Sequence, residues 1–232
     1  GIIGGLNMLV QNWMKSDPET VTSDTLVSDA KRLLTEKNLR ALPVVDDGRL
    51  RGLITRANCL RAAEFVSRGQ DPHEFDFFAN RLKVKDLMSR RPATVNANDT
   101  MEHCLRRGQD EDISQFPVVE EDKLIGLISA SEIFGLAAHV LGAWDSWSGI
   151  TLSPMVINKG TLGEITGIIE NSGGTLQSMF TVEENGSDLK RIILRFQAED
   201  FDAVVAALTN SGFTLLEACP EVQNNQNTGD AG

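Results

Sequence analysis

Residues 43–55 read PVVDDGRLRGLIT, and residues 117–129 read PVVEEDKLIGLIS, 74 positions later in a chain of 232 residues. The same offset relates four further pairs, which precede these two stretches. They are Met14 and Met88, Pro18 and Pro92, Thr20 and Thr94, and Val21 and Val95. Eleven identities in one ungapped register indicate an internal repeat, and each of its two copies is expected to form one structural unit.

The first half of each copy predicts an extended Thr-Val segment followed by a helix. In the first copy, apolar residues from Val27 to Leu34 recur at helical spacing, so the helix is expected to begin near Asp24 and to end at Asn38. In the second copy, Gly108 is expected to shorten the corresponding helix, because glycine destabilises a helix interior.

The second half of each copy predicts a β-hairpin and then another helix. Asp46–Gly48 and Glu121–Asp122 have the composition of hairpin turns. The strands of the first copy are predicted at 41–45 and 50–54, and the final helices at 56–67 and 131–141. The first of these helices is expected to bury Leu60. Each copy is therefore a β-α-β-β-α unit.

The pattern changes at Gly149, where the repeat stops and the order of elements becomes βαββαβ. The predicted strands are 150–157, 176–182, 189–196 and 213–218, and the predicted helices are 161–171 and one that buries Phe201, Val204, Val205 and Leu208. We interpret Thr161 and Glu164 as a capping box at the start of the first helix. This order predicts a split-βαβ, ferredoxin-like α+β domain.

These patterns divide the chain into seven segments. They are a remnant outside the native sequence (1–7), the first repeat copy (8–70), a connector with a short helix near 75–82 (71–83), the second copy (84–142), a linker (143–148), the ferredoxin-like domain (149–220) and a disordered tail (221–232).

Composition excludes several classes of function. A formal net charge of −11 without a Lys/Arg run argues against nucleic acid as a partner. No stretch is apolar enough to span a membrane, so a cytoplasmic protein is expected. The three cysteines are far apart, and His73, Glu74 and Asp76 lack the spacing of metal ligands, so no metal or disulfide is expected. No catalytic motif occurs, which predicts that the protein is not an enzyme.

Each repeat copy resembles a CBS motif, and the two together resemble the CBS-pair module, a regulatory domain named after cystathionine β-synthase. The resemblance rests on Trp13-Met14 and Leu87-Met88, on the Pro-Val-Val strands, and on Gly-Leu-Ile followed by Thr55 or Ser129. It implies that an adenosine derivative binds in the cleft between the motifs. AMP, ADP, ATP and S-adenosylmethionine are the regulatory ligands to consider, and no cofactor is required.

The resemblance also assigns residues to the parts of a nucleotide. The positions that would hold adenine are Thr20, Val21, Leu42 and Pro43, with Thr94, Val95, Phe116 and Pro117 in the second copy. Plain sheet core is the other interpretation of these residues. Asn58 and Glu132 occupy the positions at which the family usually has an aspartate that accepts the ribose hydroxyls. For Glu132 we favour a solvated or capping role.

Thr55 and Ser129 lie where a strand runs into a helix. Backbone N–H groups and the positive end of the helix dipole attract phosphate at such a position, and a hydroxyl adds a donor. An ordinary helix N-cap is an equally good interpretation. Arg56 could add a charge-assisted bond to a phosphate, or it could be a solvated arginine. Because Ala130 replaces it in the second copy, the sequence favours Thr55, Arg56 and Asn58 as the centre of binding, with micromolar or weaker affinity.

The ferredoxin-like domain resembles an ACT domain, a module that often binds amino acids at a dimer interface. The corresponding effector position would be Gly160 and Thr161, although the usual Asp-x-Pro-Gly turn is here Asn158-Lys159-Gly160. Because the capping box and Glu164 occupy this helix start, we expect no tight binding of a free amino acid.

The leading hypothesis is a non-catalytic bacterial sensor, similar to the CBS-ACT proteins of acetoin utilisation, that acts on an unknown downstream protein. Surplus apolar residues on helices 56–67 and 131–141 predict a homodimer. The alternative is a dimeric interaction scaffold whose clefts bind no ligand.

Overall fold

The computed structural model describes residues 8–67 and 80–221, except for the side chains of residues 65–67. The segment predicted to be a remnant, most of the connector with its predicted helix, and the chain from residue 222 onward lie outside the described residues. The chain divides into two compact units, Gly1–Gly135 and Leu136–Gly232. None of the helices in the described part of the chain is both long and apolar enough to cross a membrane.

The first unit contains the two copies of the repeat. The helices are α1 (Val10–Trp13), α2 (Val27–Glu36), α3 (Arg56–Ser67), α4 (Val84–Leu87) and α5 (Met101–Asp110), and α6 (Ala130–Leu141) begins in this unit. The strands are β1 (Lys15–Ser16), β2 (Ala41–Asp46), β3 (Arg49–Thr55), β4 (Val95–Asn96), β5 (Gln115–Glu120) and β6 (Lys123–Ser129). They form one six-stranded sheet in the order β2-β3-β6-β5-β4, with β1 on β6.

Both predicted hairpins are present, in the same register. Asp47 and Gly48 have φ angles of 51° and 79°, and Glu121 and Asp122 have 48° and 66°. Two consecutive left-handed residues form the turn whose twist matches that of antiparallel strands. Consequently Gly52 lies opposite Val44, and Gly126 opposite Val118.

The two copies exchange their leading segments. β1, the leading strand of the first copy, pairs with β6 of the second copy, where Lys15 lies opposite Leu127. Conversely, Ser89, at the start of the second copy, forms a bridge with Leu53 in β3 of the first. The exchange depends on glycine: a side chain at Gly126 would collide with Met14, and one at Gly52 with Met88 and the Ser89 carbonyl. The repeated Met and Gly positions therefore join the copies together.

Three details differ from the prediction. Helix α2 begins at Val27, because Asp24 instead bonds Lys83 and Lys85. Helix α5 is not shortened by Gly108, since it is ten residues long, like α2. After the helix ends, the chain folds back over Gly108, and Ile113 donates its N–H to the Gly108 carbonyl at 3.0 Å. Leu60 is 61% exposed rather than buried.

The second unit is a separate four-stranded antiparallel sheet with two further helices. Its elements are β7 (Ser148–Leu152), α7 (Thr161–Asn171), β8 (Gly174–Glu183), β9 (Lys190–Ala198), α8 (Phe201–Asn210) and β10 (Leu215–Cys219). The order β10-β7-β9-β8 is the split-βαβ arrangement, in which β9 lies between the two strands that α7 connects. Ile165 and Ile169 of α7 and Val204 and Leu208 of α8 pack on the sheet in one core.

Two predictions for this unit are wrong. The first strand ends at Leu152 instead of Ile157. Thr161 does not form a capping box, because it is the first residue of α7 and Gly160, with a φ of 93°, is the N-cap. The Thr161 hydroxyl accepts the Asn158 N–H at 3.1 Å, and Glu164 donates its N–H to the Gly160 carbonyl.

Candidate functional site

A cavity of about 650 Å³ lies between the two repeat copies within the first unit. One wall comes from the first copy and includes Pro18, Leu39 and Ala41. The opposite wall includes Ser129 and Glu132, at the start of helix α6 of the second copy. Apolar contacts thus face a helix N-terminus across a space that has the size of a small-molecule site.

The start of α6 is capped by the Glu132 side chain. Its Oε2 accepts the N–H of Ser129 at 2.8 Å and also the Ser129 hydroxyl proton. Glu132 therefore caps the helix while it lines the cavity. This arrangement fixes Ser129 and a carboxylate together, which suits a ligand that donates hydrogen bonds from hydroxyl groups.

The start of α3 in the first copy is capped by one hydrogen bond more than the start of α6. Asn58 Oδ1 accepts the N–H of Thr55 at 2.9 Å and its hydroxyl proton at 2.8 Å, and the Asn58 N–H donates to Thr55 Oγ1 at 3.1 Å. This is a reciprocal cap of the kind that satisfies the unpaired groups of a first helical turn. Neither residue lines the cavity.

The side chain of Arg56 donates hydrogen bonds to the C-terminal end of α2. Its Nε donates to the Leu39 carbonyl at 2.6 Å, and one Nη donates to the Leu34 carbonyl at 2.9 Å and to Asn38 at 3.3 Å. These acceptors lie at the C-terminus of α2, where a cation is favourable. The guanidinium thus bonds the end of α2, while Arg56 as a whole stays exposed.

Most residues assigned to adenine lie in the sheet core. Val21, Leu42, Val95 and Phe116 are each less than 9% exposed. Pro43 and Pro117 are buried within β2 and β5. The Thr94 carbonyl accepts a bond from Arg107, while Thr20 is exposed. Of the residues selected from the sequence, Ser129 and Glu132 are those that the cavity brings together.

The sequence did not identify the first-copy wall of the cavity. Lys15, Lys37 and Arg40 line it, together with Pro18 and Ala41. Only Pro18, which recurs as Pro92, carried a signal in the repeat. Lys15 could not be found by pattern, because β1 reaches the cavity through the exchange of leading segments.

At the effector position of the second unit, hydrogen bonds within the turn engage Thr161. The Thr161 N–H already donates to the Asn158 carbonyl at 3.1 Å, and the Thr161 hydroxyl accepts the Asn158 N–H. Gly160 and Thr161 therefore bond within their own turn, with Glu164 in the first turn of the helix.

No metal site is found among residues 8–67 and 80–221. These ranges contain no group of three or more His, Cys, Asp or Glu side chains that could hold an ion. Burial raises the pKa of the Cys59 and Cys104 thiols, which disfavours the reactive thiolate.

The CBS domain family matches residues 10–64 and 84–139. These two stretches are the two copies of the repeat, including their exchanged leading segments. The first unit contains a tandem CBS-domain pair. The CBS match ends before the second sheet begins at Ser148.

Curated relatives match parts of this chain. A homoserine O-acetyltransferase of Methanosalsum zhilinae is 32% identical over 136 residues, which are 57% of this chain and 25% of that enzyme. CBSX2, a chloroplastic CBS domain-containing protein of Arabidopsis thaliana, is 46% identical over 61 residues, or 26% of each protein. The chain thus spans about a quarter of the length of these relatives.

Solved structures resemble the CBS pair. A Vibrio cholerae protein named for acetoin utilization (AcuB) has a TM-score of 0.52 at 24% identity, covering 60% of this chain and 96% of that one. At this identity the likeness concerns the fold. A structure of CBSX2 in complex with AMP has a TM-score of 0.49 at 27% identity, covering 58% of this chain and 98% of that one.

Proposed function

We propose that the CBS pair binds an adenosine-type nucleotide in the cavity between its two copies and has a regulatory role without catalysis. The observation that carries this proposal is that apolar residues of the first copy, Pro18, Leu39 and Ala41, line the same cavity as the Ser129–Glu132 helix start. The relative CBSX2, 46% identical over 61 residues, has been crystallised with AMP, which supports this ligand class.

Each wall of the cavity has a part in this proposal. Pro18, Leu39 and Ala41 offer apolar contact to a flat base. Glu132, with Oε2 on Ser129, has further lone pairs that can accept ribose hydroxyls. A ligand that contacts both copies regulates the protein by its difference in affinity between two arrangements of those copies.

Calorimetry with the full chain tests the proposal. We expect micromolar or weaker binding of adenine nucleotides, about −8 kcal/mol at best. The double variant Ser129→Ala/Glu132→Ala should lose at least tenfold in affinity, because it removes the Ser129 hydroxyl and the Glu132 carboxylate from the cavity.

The repeat supplies the matched control. Thr55→Ala/Asn58→Ala removes the equivalent pair at the start of α3, outside the cavity, and should leave the affinity within about twofold. No heat and no melting shift at millimolar nucleotide would contradict the proposal and favour a scaffold that binds no ligand. Equal losses in the two double variants would place the ligand elsewhere.

We also propose that the protein is a homodimer joined through α3 and α6. Leu60 and Phe134 occupy equivalent positions of the repeat and are 61% and 75% exposed. Two large apolar side chains at related positions on two helices suit an isologous, two-fold interface. This pattern explains why the α3 residue that was expected in the core lies on the surface.

Light scattering tests the dimer. The wild-type chain should have about twice the 25.3 kDa monomer mass at micromolar concentrations. Leu60→Glu/Phe134→Glu should give the monomer mass. The variant should melt within a few degrees of the wild type, because neither side chain lies in the core. A monomeric wild type would refute the proposal.

For the second unit, we propose an ACT-type module that extends the dimer and does not bind free amino acids tightly. The bonds between Asn158 and Thr161 support this, since they occupy the turn that would hold an effector carboxylate. Nuclear magnetic resonance titration with the twenty amino acids should leave the signals of 160–164 unchanged. Saturable shifts there with sub-millimolar affinity would overturn the proposal.

A further inference from the structure

The cavity carries more positive than negative side chains in a chain whose formal net charge is −11. Lys15, Lys37 and Arg40 line it, with Glu19 and Glu132 as its acidic residues. A concave site of opposite sign to the rest of the protein concentrates anions, because its walls exclude water and reduce screening.

The two acidic residues already have partners. Glu19 forms an ion pair with Lys37, and Glu132 Oε2 accepts two bonds from Ser129. By contrast, none of the ion pairs and hydrogen bonds among the described residues involves the side chain of Lys15 or Arg40. Two cations at the cavity are therefore available to a ligand.

The repeat shows that this charge is specific to one cleft. At the offset of 74, the counterparts of Lys15, Lys37 and Arg40 are Ser89, Glu111 and Ser114. Three basic positions in one copy thus correspond to two neutral and one acidic position in the other. Glu111 is itself paired with Arg107. The pseudo-symmetry of the fold therefore does not require these cations.

We infer that this cavity selects its nucleotide by phosphate charge and binds ATP and ADP more tightly than AMP or S-adenosylmethionine. The inference rests on the proposed function, because it assumes that the nucleoside occupies the cavity. Each additional phosphate brings negative charge and acceptor oxygens, which Lys15 and Arg40 can bind as charge-assisted donors. S-adenosylmethionine lacks phosphate and carries a positive sulfonium.

The experiment is calorimetric titration of the full chain with adenosine, AMP, ADP, ATP and inorganic tripolyphosphate at low salt and without divalent cations. We expect ATP to bind about tenfold more tightly than AMP. This advantage should shrink as salt is added, because exposed charges are screened.

Lys15→Gln/Arg40→Gln should reduce ATP affinity about tenfold and leave AMP within about twofold. Arg49→Gln is the control, because Arg49 is exposed and lies outside the cavity lining. Circular dichroism should give the same melting temperature for all these proteins to within a few degrees.

The outcomes separate the two ideas. Equal affinities for AMP and ATP, with no effect of the double variant, would overturn the charge selection and leave the proposed function standing. Binding of tripolyphosphate that depends on Lys15 and Arg40, without any binding of adenosine or AMP, would support the phosphate site and refute the nucleoside pocket. If no compound binds, both are refuted.

Discussion

At the start of α3, Thr55 and Asn58 exchange three hydrogen bonds, and Arg56 reaches back to the end of α2. At the start of α6, Glu132 accepts two bonds from Ser129, and Ala130 stands where the arginine would be. Both helix starts are thus capped within the protein, and Ser129 and Glu132 in addition line the cavity. The repeat thus keeps the two helix starts alike in backbone, while the differences between Asn58 and Glu132 and between Arg56 and Ala130 change what each start bonds.

The largest expected effect concerns the two glycines that receive the exchanged segments. A Cβ at Gly52 would lie 2.5 Å from the Ser89 carbonyl, which is held in a backbone bridge and cannot move away. At Gly126 the close neighbour is the flexible Met14 side chain, and the Lys15 carbonyl is 3.0 Å away. We expect Gly52→Ala to cost about 3 kcal/mol and Gly126→Ala about 1 kcal/mol.

Urea denaturation of both variants checks this order. Because the substitutions are equivalent in the repeat, composition and chain entropy change equally in the two proteins. A Gly126→Ala variant that is the less stable of the two would show that the methionine, not the backbone, limits the space.

The next effect is that of Arg56→Ala. The three bonds to the end of α2 are lost, and we expect a loss of about 1 kcal/mol in the free energy of unfolding, since the side chain is largely exposed. Nucleotide affinity should not change, because Arg56 lies outside the cavity. A drop in affinity without a drop in stability would return Arg56 to the phosphate role that the sequence favoured.

A smaller effect distinguishes the two hydroxyls. Thr55 Oγ1 accepts the Asn58 N–H, so Thr55→Ala removes a true N-cap and should cost about 1 kcal/mol. Ser129 keeps its backbone bond to Glu132 after Ser129→Ala, so the stability loss should be about half as large. Thermal unfolding measures both. Equal losses would mean that the two helix starts are capped alike.

The smallest effect is acid sensitivity. Hydrogen bonds from Lys85 and then Lys83 hold the pKa of Asp24 below its usual range. The contribution of ionised Asp24 to the free energy of unfolding is therefore complete above the ordinary aspartate pKa of about 3.9. It is lost as the pH falls through the lower pKa that Asp24 has in the folded protein. The second copy has Asn98 at the equivalent position.

Asp24→Asn should flatten the dependence of the free energy of unfolding on pH below about pH 4. Part of that dependence should remain, because the Ser23 N–H lowers the pKa of Asp46 as well. Denaturation between about pH 6 and pH 2 measures it. An unchanged pH profile would show that the lysine bonds do not persist in solution.

The sequence predicted the local elements because their causes are local. The hairpin turns at Asp47–Gly48 and Glu121–Asp122 and the helix 161–171 follow from turn chemistry and apolar spacing. The helix over 56–67 also agrees in its ends, although the burial of Leu60 does not. Spacing identifies one face of a helix but does not specify whether that face meets the core or another molecule.

The site was harder to predict because it is assembled from distant parts. The helix start at Ser129 and Glu132 was recognisable, but Lys15 and Arg40 reach the cavity from other segments. The contacts of Arg56 could not be predicted for a related reason: its acceptors at Leu34 and Leu39 are backbone carbonyls, which no sequence pattern displays. Charge and spacing in the sequence indicate which side chains can donate hydrogen bonds. Which backbone carbonyls lie close enough to accept them depends on the fold.

The exchange of leading segments has a consequence for how this protein folds during synthesis. Lys15 is made early, but its strand partner Leu127 follows more than a hundred residues later. Pairing over such a separation closes a long loop and slows folding. Met8 and Val10 likewise bond Met101 and Asp99 of the second copy. The first copy therefore leaves the ribosome without its own leading strand in place, and the CBS pair acquires its complete sheet in one late, cooperative step.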